Sequence, residues 1–390
     1  MGPIMEDNIN LLEKQKPALY AIDAHSANAK RRTGVHNYAF HLIQAMKNHP
    51  LQEGERVVLY SYEPLNEDLA KLPEGWTSKV LKWPPRHGWM SIRVRWELFK
   101  DKPSVFFVPA QAIPKTSVPT VITKHDIGWK FIPEVFEPAD IKRLKRDTKK
   151  AVRDATHILA VSEATKKDLI DQFHIEPERV STTVLAADTM MYHVVSEEEK
   201  QRVLQTYRIG KRFFLTVGRL ETKKNIATII RAFDVFKSHR GSGDPYELVL
   251  VGKPGYGYEQ IKSYIDASPY KDQIRELGFV PDIDVVPLMN LASAYLFPSW
   301  FEGFGIPNLE AMACGTPLLT SDLPAHREVV GDAGVFIDPK DPDAWAREMA
   351  DVIDDEVKRK RLIENGFKRV QEFSWDKCAL QTWEVLRSLL

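Results

Sequence analysis

The chain has 390 residues, 54 Lys plus Arg against 54 Asp plus Glu for a formal net charge of zero, 43% hydrophobic and 28% charged residues. That length implies two domains of ordinary size, the composition excludes wholesale disorder, and the charge balance excludes a chain built to neutralise nucleic acid. The two cysteines, Cys314 and Cys378, lie far apart without CxxC or Cys/His spacing, which leaves neither a disulfide framework nor a zinc knuckle. No apolar run reaches the roughly 20 residues of a bilayer span. The start, MGPIMEDNINLLEKQK, lacks the basic-then-apolar order of a signal peptide, and the cytoplasm is the expected location.

From Ala18 the sequence reads ALYAID, a buried-strand pattern. A polar stretch ending in Thr33-Gly34 follows, then VHNYAFHLIQAM with Val35, Tyr38, Leu42 and Ala45 at helical spacing. RVVLYSY, SVFFVP, TVITKHD and HILAVSE repeat the strand pattern, and ADIKRLKRDTKKAVRDA and ATKKDLIDQFHI read as helices. The charged stretch SEEEKQRVLQTYRIGKR, near 196–212, precedes a second series: FFLTVG, YELVLVG, IRELGFV, AYLFPS and TPLLTSD. The closing FSWDKCALQTWEVLRSLL places Trp375, Ala379, Trp383, Leu386 and Leu390 near a 3.6-residue period, an amphipathic helix that must pack on something. Alternation of this kind predicts two parallel α/β domains, 1–205 and 206–371, and a terminal helix within 372–390. The active site is expected beyond the carboxyl ends of the strands, in the cleft between domains.

Two segments of the second half carry the chemistry. FFLTVGRLETKKN is a strand ending at Gly218 that delivers Arg219 and Lys224 into the following loop, and a guanidinium fork with an ammonium suits a diphosphate. The same residues also fit a solvated helix start, which is how Lys223 is read. In AYLFPSWFEGFGIPNLEAMACGTPLLTSD a strand ends near Pro298, Pro307 marks a helix start and Gly315 its end. Glu302 then lies on the loop and Glu310 in the first turns. Gly303 and Gly305 let backbone N–H groups approach a ligand at a helix N-terminus. Glu310 alone would also complement the helix dipole, but that does not account for Glu302 among Trp300, Phe301 and Phe304.

With Glu302 and Glu310 as E-x7-E, GFGIPNLEAMACGTPLLTSD and the upstream GRLETKKN, the chain resembles glycosyltransferase family 4 (group 1), retaining enzymes of the GT-B fold. The resemblance runs over nearly the whole length, through TGVHNY, KHDIGWKFIPEVF, AVSEATKKDL, AHREVVGDAGVFIDPKDPDAW and FSWDKCALQTW. It implies two Rossmann-like domains facing across a cleft, the first binding acceptor and the second the nucleotide-sugar donor, with the last helix crossing back to the first. It implies that Arg219 and Lys224, after Gly218, hold the donor pyrophosphate and that Glu310 accepts from the ribose hydroxyls. Glu302, with the Gly303–Phe304–Gly305–Ile306 backbone, would hold the transferred sugar. His125 would reach the reacting sugar from the first domain, and Gly34 would let backbone approach phosphate or acceptor. A His after a strand is also often a structural hydrogen-bonding residue. The implied reaction is transfer of a hexose from a nucleotide diphosphate sugar, with retention and without metal or other cofactor, to a glycan, lipid-linked or small-molecule hydroxyl. ETKKN resembles the EPRKN turn of GDP-mannose-using relatives, which points to mannose. Two departures stand out: His36 and Asn37 replace a Gly and an Arg common after the first loop glycine, and Ala186-Ala187-Asp188 replaces a usual Gly.

Asp282/Asp284 and Asp341/Asp343 each form a DxD, read as loop and helix-cap acids because a helical pattern begins at each. GKPGYGYEQ lacks G-x-G-x-x-G order and reads as a strand-to-helix loop near the donor base. His36 and His41 are five apart, not a helical metal pair. LKWPPRHGWMSIRVRWELFK mixes Lys82, Arg86, Arg93, Arg95 and Lys100 with Trp83, Trp89 and Trp96. This stretch reads either as a loop and helix packed under the first domain or as a face on the anionic inner membrane, near a lipid-linked acceptor. Other readings of the chain are a GT-B-type nucleotide-sugar epimerase or hydrolase and, from another class, a non-catalytic sugar-binding protein.

Overall fold

The computed structural model describes residues 17–390 apart from 31, 86, 111 and 242, so the start of the chain and Arg86 lie outside the described residues. Strands β1 (Ala18–Asp23), β2 (Glu55–Ser61), β3 (Trp76–Val80), β4 (Val105–Val108), β5 (Thr120–Lys124), β6 (His157–Ala160) and β7 (Val180–Thr182) form one sheet in the order β3-β2-β1-β4-β5-β6-β7. A second sheet holds β8 (Phe213–Val217), β9 (Glu247–Val251), β10 (Ile274–Gly278), β11 (Ala294–Phe297), β12 (Leu318–Ser321) and β13 (Gly334–Ile337), in the order β10-β9-β8-β11-β12-β13. Neighbouring strands are parallel throughout, as the alternation with helices requires.

Period-two alternation divides each sheet between two packed faces. Tyr20 and Ile22 face one hydrophobic cluster and Ala21 another; in the second domain Phe213 and Leu215 face one side and Phe214 the other. Strand β3 escapes the pattern reading because it is an edge: of WTSKV only Trp76 is buried.

Both sheets reverse direction at one place, between β1 and β4 and between β8 and β11. Chain leaving adjacent strands at such a point diverges and opens a crevice beyond their carboxyl ends. In the second domain the two loops bounding that crevice are those carrying Arg219–Lys224 and Glu302.

The helix Glu197–Tyr207, in the expected linker, docks on the second domain, where Asp284 accepts from Arg202 Nη2 and Tyr207 Oη, each at 2.7 Å. The position between 205 and 206 thus falls inside a helix that packs on the second sheet. The last helix, Trp375–Arg387, returns to the first domain beside Gly34–Lys47. Trp383 is buried edge-on to Tyr20, its Nε1 donating to the Met46 carbonyl at 3.3 Å, and Arg387 meets Glu55 at 2.8 Å. Because Trp383 fills the seam between this helix and the first sheet, Trp383→Ala should cost about 3–5 kcal/mol, read as a lower denaturant midpoint of the first-domain transition.

Candidate functional site

The loop after β8 is shaped by close backbone packing. Gly218 has φ +150°, and a Cβ on its neighbour Gly252 would come within 1.7 Å of the Gly218 carbonyl oxygen. Asn225, in the left-handed region at φ +54°, starts the helix Ile226–Arg240 and ties the loop down, donating through Nδ2 to the carbonyls of Pro298 (3.1 Å) and Pro339 (2.8 Å). Arg219 and Lys224 consequently line one crevice with Gly218, Phe297 and Ser299. Arg219 is largely exposed, 3.7 Å from Glu221, and Lys224 Nζ donates to Glu302 Oε1 at 2.6 Å above the Phe297 ring. The glycines of GKPGYGYEQ close against this turn, since a Cβ on Gly257 would fall 1.9 Å from Thr222 Oγ1.

The second loop runs from β11 to the helix Ile306–Ala313, with Gly305 at φ +92° as its N-cap. The backbone N–H groups of Phe304, Gly305 and Ile306 have no hydrogen-bond partner among the described residues, while the Phe304 ring is buried against Phe373. Gly303 touches the other domain. A Cβ there would sit 1.7 Å from the His125 carbonyl oxygen, and the Gly303 carbonyl accepts from Ser162 Oγ (2.6 Å) and Thr165 Oγ1 (3.1 Å). Ser162 also caps the helix Glu163–Phe173, whose first N–H groups donate to the Glu328 carboxylate across the cleft at 2.8 and 3.0 Å. The structure thereby brings His125 against the Gly303 loop although 177 residues separate Glu302 from it (302 − 125).

Lys223 corrects the sequence expectation. It is not a solvated residue but reaches Asp126 of the first domain at 3.4 Å, over the Phe136 ring. Burial lowers its pKa, but Asp126 and then Glu302 raise it by more, and it is held charged. Burial would lift the Glu302 carboxyl, yet Lys224 and Lys223 bring it down to about 2. Glu310 behaves oppositely. Its carboxyl has no hydrogen-bond partner among the described residues, and burial, then Asp282 and Asp188, push it up to about 8. Asp188, from the segment that replaces the usual glycine, thus joins the neighbourhood of Glu310.

His125 is pushed down to about 4 by burial, opposed by its bond to Pro109. Its ring meets Tyr38 edge-on at 4.8 Å, and Nε2 lies 3.2 Å from the Pro109 carbonyl, an acceptor only, so the proton sits on Nε2. Gly34 begins its helix with no atom within 4 Å of a Cβ position, so neither packing nor its turn demands glycine there. His36 caps that helix with Thr33, and His41 stacks on Trp375.

Of the DxD pairs, Asp341 is the N-cap of Pro342–Asp354, as expected; at the other the cap is Pro281, with Asp282 and Asp284 in the first turn. Sequence reasoning missed Asn225, Asp126, Lys223 and Glu328. The first had a signal, an Asn directly before an apolar helix; the others become visible only once the domains face each other.

Comparison with known proteins bears on the family and the fold. The model of the glycosyl transferases group 1 matches residues 197–369 and that of Glycosyltransferase Family 4 matches 32–190. The O-antigen chain mannosyltransferase B of Escherichia coli is 31% identical over 298 residues, 76% of this chain and 77% of that protein. Sucrose-phosphate synthase of Thermosynechococcus elongatus shares the fold with TM-score 0.73 at 18% identity, over 95% of this chain and 99% of that one. Anabaena HepE in complex with UDP and glucose does so with TM-score 0.71 at 19% identity, over the same shares. The two domains are thus Rossmann-like units in the GT-B arrangement.

Two expectations follow. Gly303→Ala must push the domains apart; it should enlarge the radius of gyration in small-angle scattering and cost about 1–3 kcal/mol as the Ser162 and Thr165 bonds are lost. Glu310 retains its proton in the folded chain, so its contribution to stability is full below its ordinary value near 4.5 and lost as pH rises through about 8. Glu310→Gln should therefore melt close to wild type at pH 5 and on the order of 10 °C higher at pH 8, checked by thermal scans.

Proposed function

The chain belongs to the group 1 glycosyl transferases and its activity is glycosyl transfer; on that premise we propose that it moves mannose from GDP-mannose to a glycan or lipid-linked hydroxyl, with retention and without a metal. One observation carries the reading: Lys224 and Arg219 line a crevice at the carboxyl end of β8, with Glu302 from the neighbouring β11 loop 2.6 Å from Lys224.

As the glycosidic bond to a diphosphate breaks, negative charge grows on the leaving group and positive charge on the anomeric carbon. Arg219 and Lys224 supply fixed cations for the first. Glu302, ionised by its lysine neighbours, offers acceptor oxygens to the sugar hydroxyls once Lys224 turns to phosphate. The N–H groups of Phe304 and Gly305, without a partner among the described residues, are available to the same ligand. His125, uncharged and with its proton engaged by Pro109, presents Nδ1 as an acceptor and adds no charge to oppose an oxocarbenium centre. Glu310, whose carboxyl has no hydrogen-bond partner among the described residues, is suited to ribose hydroxyls. Asp284, already engaged by Arg202 and Tyr207, is read as structural rather than as a metal ligand.

Mannose is supported by the ETKKN turn and by the E. coli mannosyltransferase. For the acceptor, the first domain offers a cavity of about 280 Å³ lined by Asn28, Lys30, Arg32, Phe40 and Asn66, close in sequence to Gly34.

A nucleotide-release panel over GDP-, UDP- and dTDP-sugars tests the donor, with GDP-mannose expected to be turned over fastest. Arg219→Ala and Lys224→Ala should each lower the rate on the order of 100- to 1000-fold, EDTA should leave it unchanged, and Asp284→Ala should stay near wild type. Activity that vanishes in EDTA, returns with manganese and is absent in Asp284→Ala would transfer the cation's role to a bound metal.

A further inference from the structure

The segment between β3 and β4 buries its carboxylates along with an apolar inner face. Over Trp89–Val94 and Arg95–Asp101 the side chains of Trp89, Val94 and Leu98 turn inward together with Glu97. Glu97 is buried and accepts from Arg93 Nη1 at 2.7 Å and Lys79 Nζ at 3.3 Å; Asp101 accepts from Lys79 at 2.6 Å and Tyr60 Oη at 2.7 Å. Outward stand Ile92, Trp96 and Phe99, four and three residues apart, at 54%, 66% and 73% exposure. Such spacing puts them on one face. Arg95, Lys100 and Lys102 are exposed beside them in sequence, and none has a carboxylate partner among the described residues.

Water gives three large apolar side chains no reason to share an exposed face, and the exposed cations beside them leave that face a local positive charge that suits an anionic partner. A lipid surface with anionic headgroups meets both demands. Apolar side chains enter the acyl boundary, Trp favours the headgroup level, and each cation near the surface adds attraction. Trp89, at the start of the segment, packs on His25 at 5.2 Å. His25 follows β1 at the carboxyl end of the first sheet, so the face begins beside the cleft mouth and runs from there toward the start of β4.

We propose that Ile92, Trp96 and Phe99, flanked by Arg95, Lys100 and Lys102, form a docking face for an anionic membrane that holds the cleft beside a lipid-borne acceptor. The acceptor part rests on the transfer reading above; the docking does not.

The test is co-sedimentation of the full chain with phosphatidylcholine vesicles, with and without phosphatidylglycerol. Binding is expected only with the anionic lipid, about tenfold weaker for W96S/F99S and for R95E/K100E. Both variants should keep wild-type melting and wild-type turnover on a water-soluble acceptor, so a failed transfer reading and a failed docking face give different results. Equal binding to both vesicle types, anionic binding unchanged in W96S/F99S, or a wild-type dimer that this variant makes monomeric in light scattering would each overturn the proposal; the last would assign the face to a second copy of the chain.

Discussion

The cleft depends on a backbone contact that leaves no room for a side chain. Gly303 presses on the His125 carbonyl while its own carbonyl receives two hydroxyls from the first domain, Ser162 and Thr165. Each partner is fixed by its own element: His125 directly follows β5, Ser162 caps a helix, and Gly303 follows β11. A contact made by main chain cannot be absorbed by a rotamer change, so the relative placement of the domains is set beside the loop that carries Glu302. The Glu328 carboxylate on the N–H groups of Glu163 and Ala164 extends the same seam.

Around that contact charge is ordered in alternation: Asp126 meets Lys223, Lys223 acts on Glu302, and Glu302 holds Lys224. Each charge is compensated by the next, which lets several ionised groups lie together under partial burial. At the far end of E-x7-E the logic reverses, because burial, with Asp282 and Asp188 nearby, pushes Glu310 up to about 8, so that it keeps its proton. Two glutamates one loop and one helical turn apart are thus driven to opposite protonation states by their surroundings, so they can serve different parts of one ligand.

Most of the scaffold was legible because it is built from local pattern. Buried strands such as VFFV and ELVLV announce themselves by apolar continuity, and Pro307 and Gly315 mark both ends of their helix. Strand β3 was not legible, because an edge strand with exposed Thr77, Ser78 and Val80 carries no such signal. At the site, Arg219, Lys224 and Glu302 could be named because they sit on glycine-marked loops after strands, and Glu310 because it lies in the helix that the second of these loops opens. Lys223 could not be told from a surface lysine, because Asp126, the partner that changes its meaning, belongs to the other domain. Asp188, with no reading in the sequence, gains one only as a neighbour of Glu310.

The returning helix bears on how the protein is made. Trp383 donates to Met46 across 337 residues of sequence, and Cys378, Ala379 and Leu386 share a core with Tyr20, Tyr38 and Leu42. The first domain is therefore finished by a helix that follows the second domain in the chain. Until that helix has emerged from the ribosome, the first domain carries an open apolar seam. Its maturation waits on synthesis of the second domain, and a nascent chain stalled there would present that seam to chaperones.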